Sequence, residues 1–307
     1  MAITFIGGGN MATALIGGMI ARGAAAGDFR VVEPYAAQRA KLAGMYADAR
    51  LHAEASADAV AGAGLIVLAV KPQQAAEAAR ALAPWLAGHA PVVLSIAAGI
   101  RLADLSVWLG GYARLMRAMP NTPALVGKGI SGIYAAPAVD APGRALGADA
   151  LAAVGDVLWV ADEAMLDAVT GVSGSGPAYV FYFLEALEQG ARELGLSGAD
   201  ARRLAYATFD GAVALARSSS LEPAELRANV TSKGGTTERA LATMEKGAVK
   251  ATIIAAVKSA ALRARELGAE LGGPVWTSSG PAAGPASGPG SGPASGPASD
   301  PPSGSSA

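Results

Sequence analysis

The chain has 307 residues, 52% of them apolar, and a formal net charge of −1. Cysteine is absent, which excludes a thiol nucleophile, a cysteine-ligated zinc and an iron–sulfur cluster; two histidines are too few for a multi-histidine metal site. Because basic and acidic residues balance, we expect no nucleic-acid partner. No apolar run approaches the roughly 18–20 residues of a membrane span, and no basic n-region precedes the apolar N-terminus, so we expect a soluble, cytoplasmic protein.

Short β-type runs alternate with helical patterns in the first half of the chain. Several of these runs are continuous in Val, Ile, Leu and Ala, which is typical of parallel strands covered on both faces. The alternation predicts right-handed βαβ crossovers and a parallel sheet over residues 1–161. The predicted strands are Ile3–Ile6, Arg30–Glu33, Leu65–Val70, Val92–Ala97 and Arg114–Ala118, with Ile130–Ala135 and Val157–Val160 at the far end of the sheet. The predicted helices are Met11–Ala21, Pro34–Tyr46, Gln73–Leu86 and Leu102–Leu109.

After about residue 162 the β-type runs vanish, so residues 162–272 are predicted to form an all-α domain. Its Ala- and Leu-rich faces, for instance Leu204–Ala216, favour pairing with a second copy of the chain. Residues 273–307 are rich in Gly, Pro, Ser and Ala without apolar periodicity, which predicts a disordered tail. The predicted helices are Met165–Thr170, Ala178–Leu194, Ala199–Ala216, Glu222–Asn229, Thr237–Glu245 and Val249–Leu271.

A glycine-rich segment separates the first predicted strand from the first predicted helix, and it fits the pattern G-x-G-x-x-A. Gly7 permits a tight turn, Gly9 lets the backbone approach a pyrophosphate, and Ala12 allows close helix–strand packing. The helix N-terminus then offers free N–H groups to phosphates. We predict dinucleotide binding, the alternative being a turn without a ligand. The segment comprises Ile6, Gly7, Gly8, Gly9, Asn10, Met11 and Ala12.

Glu33 closes the second predicted strand. An acidic residue at this position can hydrogen-bond both hydroxyls of the adenosine ribose, which favours NAD(H) over its 2′-phosphorylated relative. The alternative is a solvated residue ahead of Pro34.

Loops follow three later strands, at the sheet edge where ligands of open α/β sheets bind. Lys71 can reach a phosphate or a substrate carboxylate, or it can simply be solvated. Pro72 is predicted to begin a helix, and Pro120 and Pro123 fix a rigid turn that could form one wall of a nicotinamide pocket. The loops are Ala69-Val70-Lys71-Pro72, Ala97-Ala98-Gly99 and Met119-Pro120-Asn121-Thr122-Pro123.

Two small, hydroxyl-rich segments in the helical half each precede a predicted helix. The second combines successive backbone N–H groups with hydroxyls, a combination suited to a carboxylate. Helix N-capping is the alternative, but capping accounts for one hydroxyl per segment rather than four or five. The segments are Thr170–Tyr179 and Asn229–Glu238, the latter reading Asn229, Val230, Thr231, Ser232, Lys233, Gly234, Gly235, Thr236, Thr237 and Glu238.

Taken in chain order, these motifs resemble those of the pyrroline-5-carboxylate reductase family over residues 2 to about 271. The resemblance implies an N-terminal Rossmann domain, a helical dimerisation domain and dimers that often assemble into decamers. It also implies an oxidoreductase that reduces 1-pyrroline-5-carboxylate to L-proline with NADPH or NADH, the last step of proline biosynthesis. The motifs are Gly7–Ala12, Ala69–Pro72, Met119–Pro123, Gly174–Tyr179 and Gly234–Thr237.

Three positions depart from the family pattern. Glu33 stands where members often carry a small polar residue near the 2′-phosphate, which puts a strict NADPH preference in doubt. Ser56 stands where an asparagine often contacts the cofactor, and Lys233 replaces the proline usual before Gly-Gly-Thr-Thr, which adds a cation near the substrate carboxylate.

Reduction of a C=N bond needs a hydride on carbon and a proton on nitrogen. A cyclic imine is basic and can arrive protonated, so no dedicated histidine acid is required. We expect the substrate carboxylate to bind the N–H groups of Gly234–Thr237 and the Ser232 hydroxyl. The resemblance implies that Thr237 hydrogen-bonds the ring nitrogen. Ser175, within Ser173–Pro177, and Asn121 are expected to position the ring and the nicotinamide, so that catalysis is mainly orientation and exclusion of water.

Two alternatives remain at this point. A β-hydroxyacid dehydrogenase shares the architecture, but it needs a lysine-type acid on the helix entering the second domain, and Met165–Arg192 contains none. The other alternative is a catalytically silent, nucleotide-binding scaffold or sensor protein. The hydroxyl-rich Thr236-Thr237 pair argues against it.

Overall fold

The computed structural model describes residues 1–88 and 90–272. An eight-stranded sheet occupies the first 160 or so residues, and the remaining described residues are helical. The strands are β1 (Ala2–Ile6), β2 (Phe29–Val32), β3 (Arg50–His52), β4 (Ala63–Leu68), β5 (Val92–Ser95), β6 (Leu115–Met119), β7 (Gly129–Ala135) and β8 (Gly155–Trp159). The helices are α1 (Asn10–Ala21), α2 (Ala36–Met45), α3 (Ala57–Val60), α4 (Ala75–Leu82), α5 (Leu102–Trp108), α6 (Ala141–Ala152), α7 (Met165–Val169), α8 (Gly176–Glu193), α9 (Gly198–Ser218), α10 (Pro223–Asn229), α11 (Thr236–Lys246) and α12 (Val249–Leu271).

The sheet order is β3-β2-β1-β4-β5-β6-β7-β8. The first six strands are parallel, with Ile6 of β1 in register with Val32 of β2 and Leu68 of β4. The chain leaves β1 in one direction and returns to its other side at β4, so the carboxyl ends of these two strands form the switch point of a Rossmann-type sheet. The predicted fold class is therefore confirmed.

Two apolar layers cover the sheet, one on each face. Helices α1, α2 and α6 bury residues such as Leu15, Leu42 and Leu151 on one face. Helices α3, α4 and α5 bury residues such as Val60, Leu82 and Leu105 on the other. This two-sided cover explains why the parallel strands are continuous apolar runs.

The structure adds four features to the prediction, the first of which is the four-residue helix α3. The short edge strand β3 was missed because three residues do not form a recognisable run, and α6 was missed because its buried positions include Gly143 and Gly147 instead of a periodic apolar stripe. Strand β7 is antiparallel to β6, so the far end of the sheet is mixed and not wholly parallel.

The segment after the sheet is helical, and α8 packs against α9 while α12 packs against α7. Thr170–Gly174 is a π-helical turn that joins α7 to α8, where the sequence predicts a loop. The division at residues 161 and 162 stays a prediction, and the predicted tail at 273–307 lies outside the described residues. Within residues 1–88 and 90–272, no helix has both the length and the apolar character to cross a membrane.

Helix α12 approaches the sheet most closely at a pair of glycines. Gly99, which follows β5, has φ +78°, and a Cβ on Gly268 of α12 would come within 2.6 Å of the Gly99 carbonyl oxygen. Only a hydrogen atom fits at position 268, so this contact depends on glycine.

Substituting Gly268→Ala should therefore destabilise the protein by about 1–3 kcal/mol through overpacking. In an unobstructed helix the same change stabilises by roughly 0.5–1 kcal/mol. Gly44→Ala is the matched control, because a Cβ on Gly44 of α2 meets no atom within 4 Å. Chemical denaturation of both variants measures the difference; a stabilised Gly268→Ala protein would contradict the contact.

Candidate active site

The switch point between β1 and β4 is a cleft whose floor is fixed by Gly7. Gly7 has φ +98°, and a Cβ there would come within 2.7 Å of the Ala69 carbonyl oxygen. Its N–H donates to the Val32 carbonyl at 2.8 Å, and the Ala69 N–H donates to the Ile6 carbonyl, also at 2.8 Å. The turn predicted at Gly7 therefore lies directly beside the Ala69–Pro72 loop.

The N-terminus of α1 opens into this cleft. Gly9 is its N-cap, and a Cβ on Gly9 would meet no atom within 4 Å. The first intrahelical bond is donated by Thr13, and the N–H groups of Asn10 and Met11 have no partner among the described residues. Ala12 is fully buried against the sheet. Free N–H groups beside open space fit a pyrophosphate.

Glu33 lies just beyond β2 and is 6% exposed. One carboxylate oxygen accepts the Gly8 N–H at 2.9 Å, and the other accepts the Tyr35 N–H at 3.0 Å. The carboxylate thus ties the glycine-rich turn to the start of α2. Each oxygen keeps a second lone pair, so a role toward the ribose stays a prediction.

Sequence reasoning missed three side chains around this turn. The Gln38 amide donates to the Gly8 carbonyl, and the Arg39 guanidinium donates to the carbonyls of Glu33 and Pro34 at 2.7 Å each. The Tyr46 hydroxyl donates to the Thr13 carbonyl at 3.0 Å, and burial raises the pKa of that phenol, so it remains a donor at neutral pH. Their partners are backbone atoms, which no sequence pattern records.

The remaining cofactor candidates line the carboxyl edge of the sheet or lie close to it. Lys71 is exposed and is the N-cap of a 3₁₀ turn that begins at Pro72, as predicted. Ser56 caps α3 by accepting the Ala59 N–H at 3.2 Å. Val70 is half-buried beside Gly7, and Ala98 is half-buried after β5.

Asn121 lies beyond β6 and is 9% exposed. Its Oδ1 accepts the Ile130 N–H at 3.0 Å. Asn121 lines a cavity of about 570 Å³ together with Ser173 and Pro177. The Ser173 Oγ is buried and has no hydrogen-bond partner, and such an unpaired polar atom is rare in a folded protein. The half-buried Ser175 ends the π-helical turn beside this cavity wall.

The second hydroxyl-rich segment lies between α10, which ends at the exposed Asn229, and α11. Gly234 has φ +75°, and its N–H donates to the Glu238 carboxylate at 2.6 Å. The Gly235 N–H donates to the Ser232 carbonyl at 3.0 Å. These two bonds leave the N–H groups and hydroxyls of Thr236 and Thr237 without partners among the described residues.

Neither hydroxyl-rich segment uses a side-chain hydroxyl as an N-cap. The N-cap of α8 is Ser175, whose hydroxyl accepts no capping hydrogen bond, and the N-cap of α11 is Gly235, which has no side chain. N-capping therefore does not account for these hydroxyls. Those of Thr170, Tyr179 and Thr231 instead donate to backbone carbonyls at 2.8, 3.0 and 2.6 Å. Within the described part of the chain, no hydrogen bond, ion pair or cavity wall joins the Ser232–Thr237 loop to Asn121 or Ser173.

The fold and the cleft define a Rossmann-type oxidoreductase with a helical second region. Family models agree: residues 2–99 match a family described as NADP oxidoreductase, coenzyme F420-dependent, and residues 163–267 match the pyrroline-5-carboxylate reductase dimerisation family.

Relatives and solved structures cover almost the whole described chain. The pyrroline-5-carboxylate reductase of Pseudomonas aeruginosa is 47% identical over 86% of this chain and 96% of its own length. The structure of the Coxiella burnetii enzyme is 36% identical, covers 86% of this chain and 97% of its own, and has a TM-score of 0.80. The Plasmodium falciparum pyrroline carboxylate reductase with NADP bound is 26% identical, covers 87% and 98%, and has a TM-score of 0.78.

The chain belongs to the pyrroline-5-carboxylate reductase family. It is accordingly a nicotinamide-dependent oxidoreductase with a dimerisation region, and the β-hydroxyacid dehydrogenase and silent-scaffold alternatives are rejected.

Substituting Gly9→Ala should leave the free protein as stable as before, because the new Cβ meets nothing within 4 Å. It should weaken binding of NADPH and NADH roughly tenfold, because the methyl group occupies space that a pyrophosphate needs; overpacking typically costs about 1–3 kcal/mol. Fluorescence titration and thermal melting measure the two effects. Unchanged cofactor affinity would mean that the pyrophosphate binds elsewhere.

Proposed function

We propose that this chain, in the cytoplasm, reduces 1-pyrroline-5-carboxylate to L-proline with NADPH or NADH, the last step of proline biosynthesis. Residues 1–161 bind the cofactor, and residues 162–272 supply the substrate contacts and the dimer contacts. The observation that carries the proposal is the pairing of open space beside Gly9 with the Ser173, Thr236 and Thr237 hydroxyls, which have no hydrogen-bond partner among the described residues.

The residues of the cleft fit a dinucleotide. The N–H groups of Asn10 and Met11 receive the pyrophosphate beside Gly9, with Ile6 and Gly7 beneath it. Glu33 and Ser56 lie on the adenosine side, and the loop Ala69–Pro72, with Val70 and Lys71, borders the other side. Ala98, Asn121 and Asn229 are assigned to the nicotinamide half. When bound, the reduced nicotinamide supplies the hydride.

The Ser232–Thr237 loop binds the substrate. Because Gly234 and Gly235 already donate their N–H groups within the loop, the substrate carboxylate takes those of Thr236 and Thr237 and the Ser232 hydroxyl. The Thr237 hydroxyl hydrogen-bonds the ring nitrogen, which arrives protonated because a cyclic imine is basic. Ser175 and Asn121 orient the ring, so the chain contributes mainly orientation and exclusion of water.

A homodimer completes this site. Within one chain the Ser232–Thr237 loop does not join the cavity of Asn121 and Ser173, while α8 and α9 expose large apolar side chains that indicate an interface. Pairing brings one copy's loop to the other copy's cleft. Assembly of dimers into a decamer is the further state that we expect. The exposed side chains are Val180, Phe181, Tyr182, Leu204, Tyr206, Val213 and Leu215.

An absorbance assay at the reduced-nicotinamide band tests the reaction directly. Pyrroline-5-carboxylate with NADPH or NADH should consume the reduced cofactor and yield proline. The reverse reaction, proline with oxidised cofactor at high pH, should produce the reduced cofactor. A folded, cofactor-binding protein that turns over neither pair would contradict the proposal.

Substituting Thr237→Ala should lower kcat/KM roughly 10–150-fold, mainly through kcat. A hydrogen bond to a charged atom contributes about 1.5–3 kcal/mol. The bond from Thr237 to the ring nitrogen should be stronger in the transition state, when the hydride reaches the ring carbon, than in the ground state. The melting temperature should stay unchanged, because Gly235 and not Thr237 is the N-cap of α11. Thr237→Ser keeps the hydroxyl and is the control, expected to recover most of the rate. A fully active Thr237→Ala enzyme would refute the assignment.

Substituting Glu33→Ser should raise the ratio of kcat/KM for NADPH over that for NADH about tenfold, or 1–2 kcal/mol. The change removes a carboxylate that would repel the 2′-phosphate of NADPH and would accept hydrogen bonds from the free ribose hydroxyls of NADH. Both cofactors should also bind more weakly, since the carboxylate anchors the N–H groups of Gly8 and Tyr35. Glu33→Gln also removes the charge but keeps one of the two acceptor oxygens, so it should change the ratio as much as Glu33→Ser does while weakening the binding of both cofactors less. An unchanged ratio in both variants would show that Glu33 acts on the loop alone.

A further inference from the structure

Arg117 is a buried cation in the middle of the apolar strand β6. Its side chain is 5% exposed, its Nη1 lies 3.0 Å from Glu163 Oε1, and its Nη2 lies 3.6 Å from Asp167 Oδ1. Glu163 Oε1 also accepts the N–H of Leu102, the first residue of α5, at 2.8 Å. One guanidinium thus joins the sheet to the chain segment that enters the helical region.

Burying the charges of this cluster costs desolvation free energy. Desolvation of a buried ion pair often cancels its Coulomb attraction, and apolar side chains of similar volume are frequently as stable or more so. What a guanidinium adds is geometry, because its planar donors fix the direction of the hydrogen bond to Glu163 while the same group holds Asp167 by charge. The cluster of Arg117, Glu163 and Asp167 therefore points to a requirement for position.

The two segments that it joins each lead to a part of the cavity wall. Strand β6 carries Arg117 and ends at Met119, two residues before Asn121, and α7 carries Asp167 and continues into the π-helical turn that contains Ser173. Between them the walls already touch, since a Cβ on Gly174 would come within 2.5 Å of Met119 Cε.

We propose that Arg117 is a positioning residue for the substrate end of the site. With Glu163 and Asp167 it holds Asn121 and Ser173 at the spacing that the pyrroline ring requires. This inference rests on the proposed function. The glycine-rich turn and Glu33 lie at the ends of β1 and β2, across β4 and β5 from Arg117, and no contact of the cluster reaches them.

Kinetics of the full chain with Arg117→Lys test the proposal. Lysine keeps the charge but cannot reach both carboxylates, so the KM for pyrroline-5-carboxylate should rise about tenfold. The dissociation constants of NADPH and NADH in binary complexes should change less than twofold. Arg114→Lys is the matched control, because Arg114 lies just before the same strand, at the opposite end from the cavity residue Asn121. Arg114 is paired with Asp140 at 3.1 Å in a more exposed position than Arg117, so the constants of Arg114→Lys should equal those of wild type.

A triple variant distinguishes a positioning role of the cluster from a stabilising role. Arg117→Met with Glu163→Gln and Asp167→Asn removes these three charges together, so it should melt at a higher temperature than Arg117→Met alone, which leaves two carboxylates without the guanidinium. Its KM should nevertheless stay raised about tenfold. A wild-type KM in the triple variant, or equal losses of substrate and cofactor affinity in Arg117→Lys, would overturn the positioning role.

Hydrogen exchange on the free protein decides the question independently of turnover. Arg117→Lys should speed amide exchange at least tenfold in residues 119–123 and 170–176 and leave residues 7–13 unchanged. If the wild type does not reduce pyrroline-5-carboxylate, the proposed function fails while this measurement still applies. Unaltered exchange in both walls would overturn the inference even in a fully active enzyme.

Discussion

The close approach of Gly7 to the Ala69 carbonyl governs the architecture of the cleft. A 2.7 Å separation between that oxygen and the place of a Cβ means that β1 and β4 can end side by side only if residue 7 is glycine. Its φ of +98° makes the turn from β1 into α1, which then packs on one face of the sheet. The N-terminus of α1 and the loop Ala69–Pro72 consequently face the same opening, which is the crevice that an open α/β sheet offers to ligands.

The Glu33 carboxylate has a structural role in the glycine-rich turn, whatever it does toward a cofactor. Leaving a backbone N–H without an acceptor costs free energy, and the N–H groups of Gly8 and Tyr35 have no backbone acceptor. The Glu33 carboxylate satisfies both, at 2.9 and 3.0 Å, while staying 6% exposed. Any change at Glu33 therefore alters the loop as well as the charge.

Much of the fold and part of the site could be predicted from the sequence because their causes are local. The βαβ alternation, the turn at Gly7 and the helix start at Pro72 each follow from neighbouring residues. The antiparallel direction of β7 and the contact of Gly99 with Gly268 depend on segments far apart in the chain, and local patterns do not encode them. Arg117 gave a signal, a lone cation in an apolar strand, but its partners Glu163 and Asp167 could not be inferred.

The two hydroxyl-rich segments end in different environments, and this difference bears on how the site is assembled. Ser173 is enclosed in the π-helical turn against the sheet, whereas Thr236 is exposed at the start of α11. A hydride transfer needs both halves of the site within contact of one small ring. Within one chain, no hydrogen bond or ion pair of the described residues joins the two segments. In the homodimer that we propose, the apolar side chains of α8 and α9 are covered, so the free energy that drives pairing would also bring one copy's loop to the other copy's cleft.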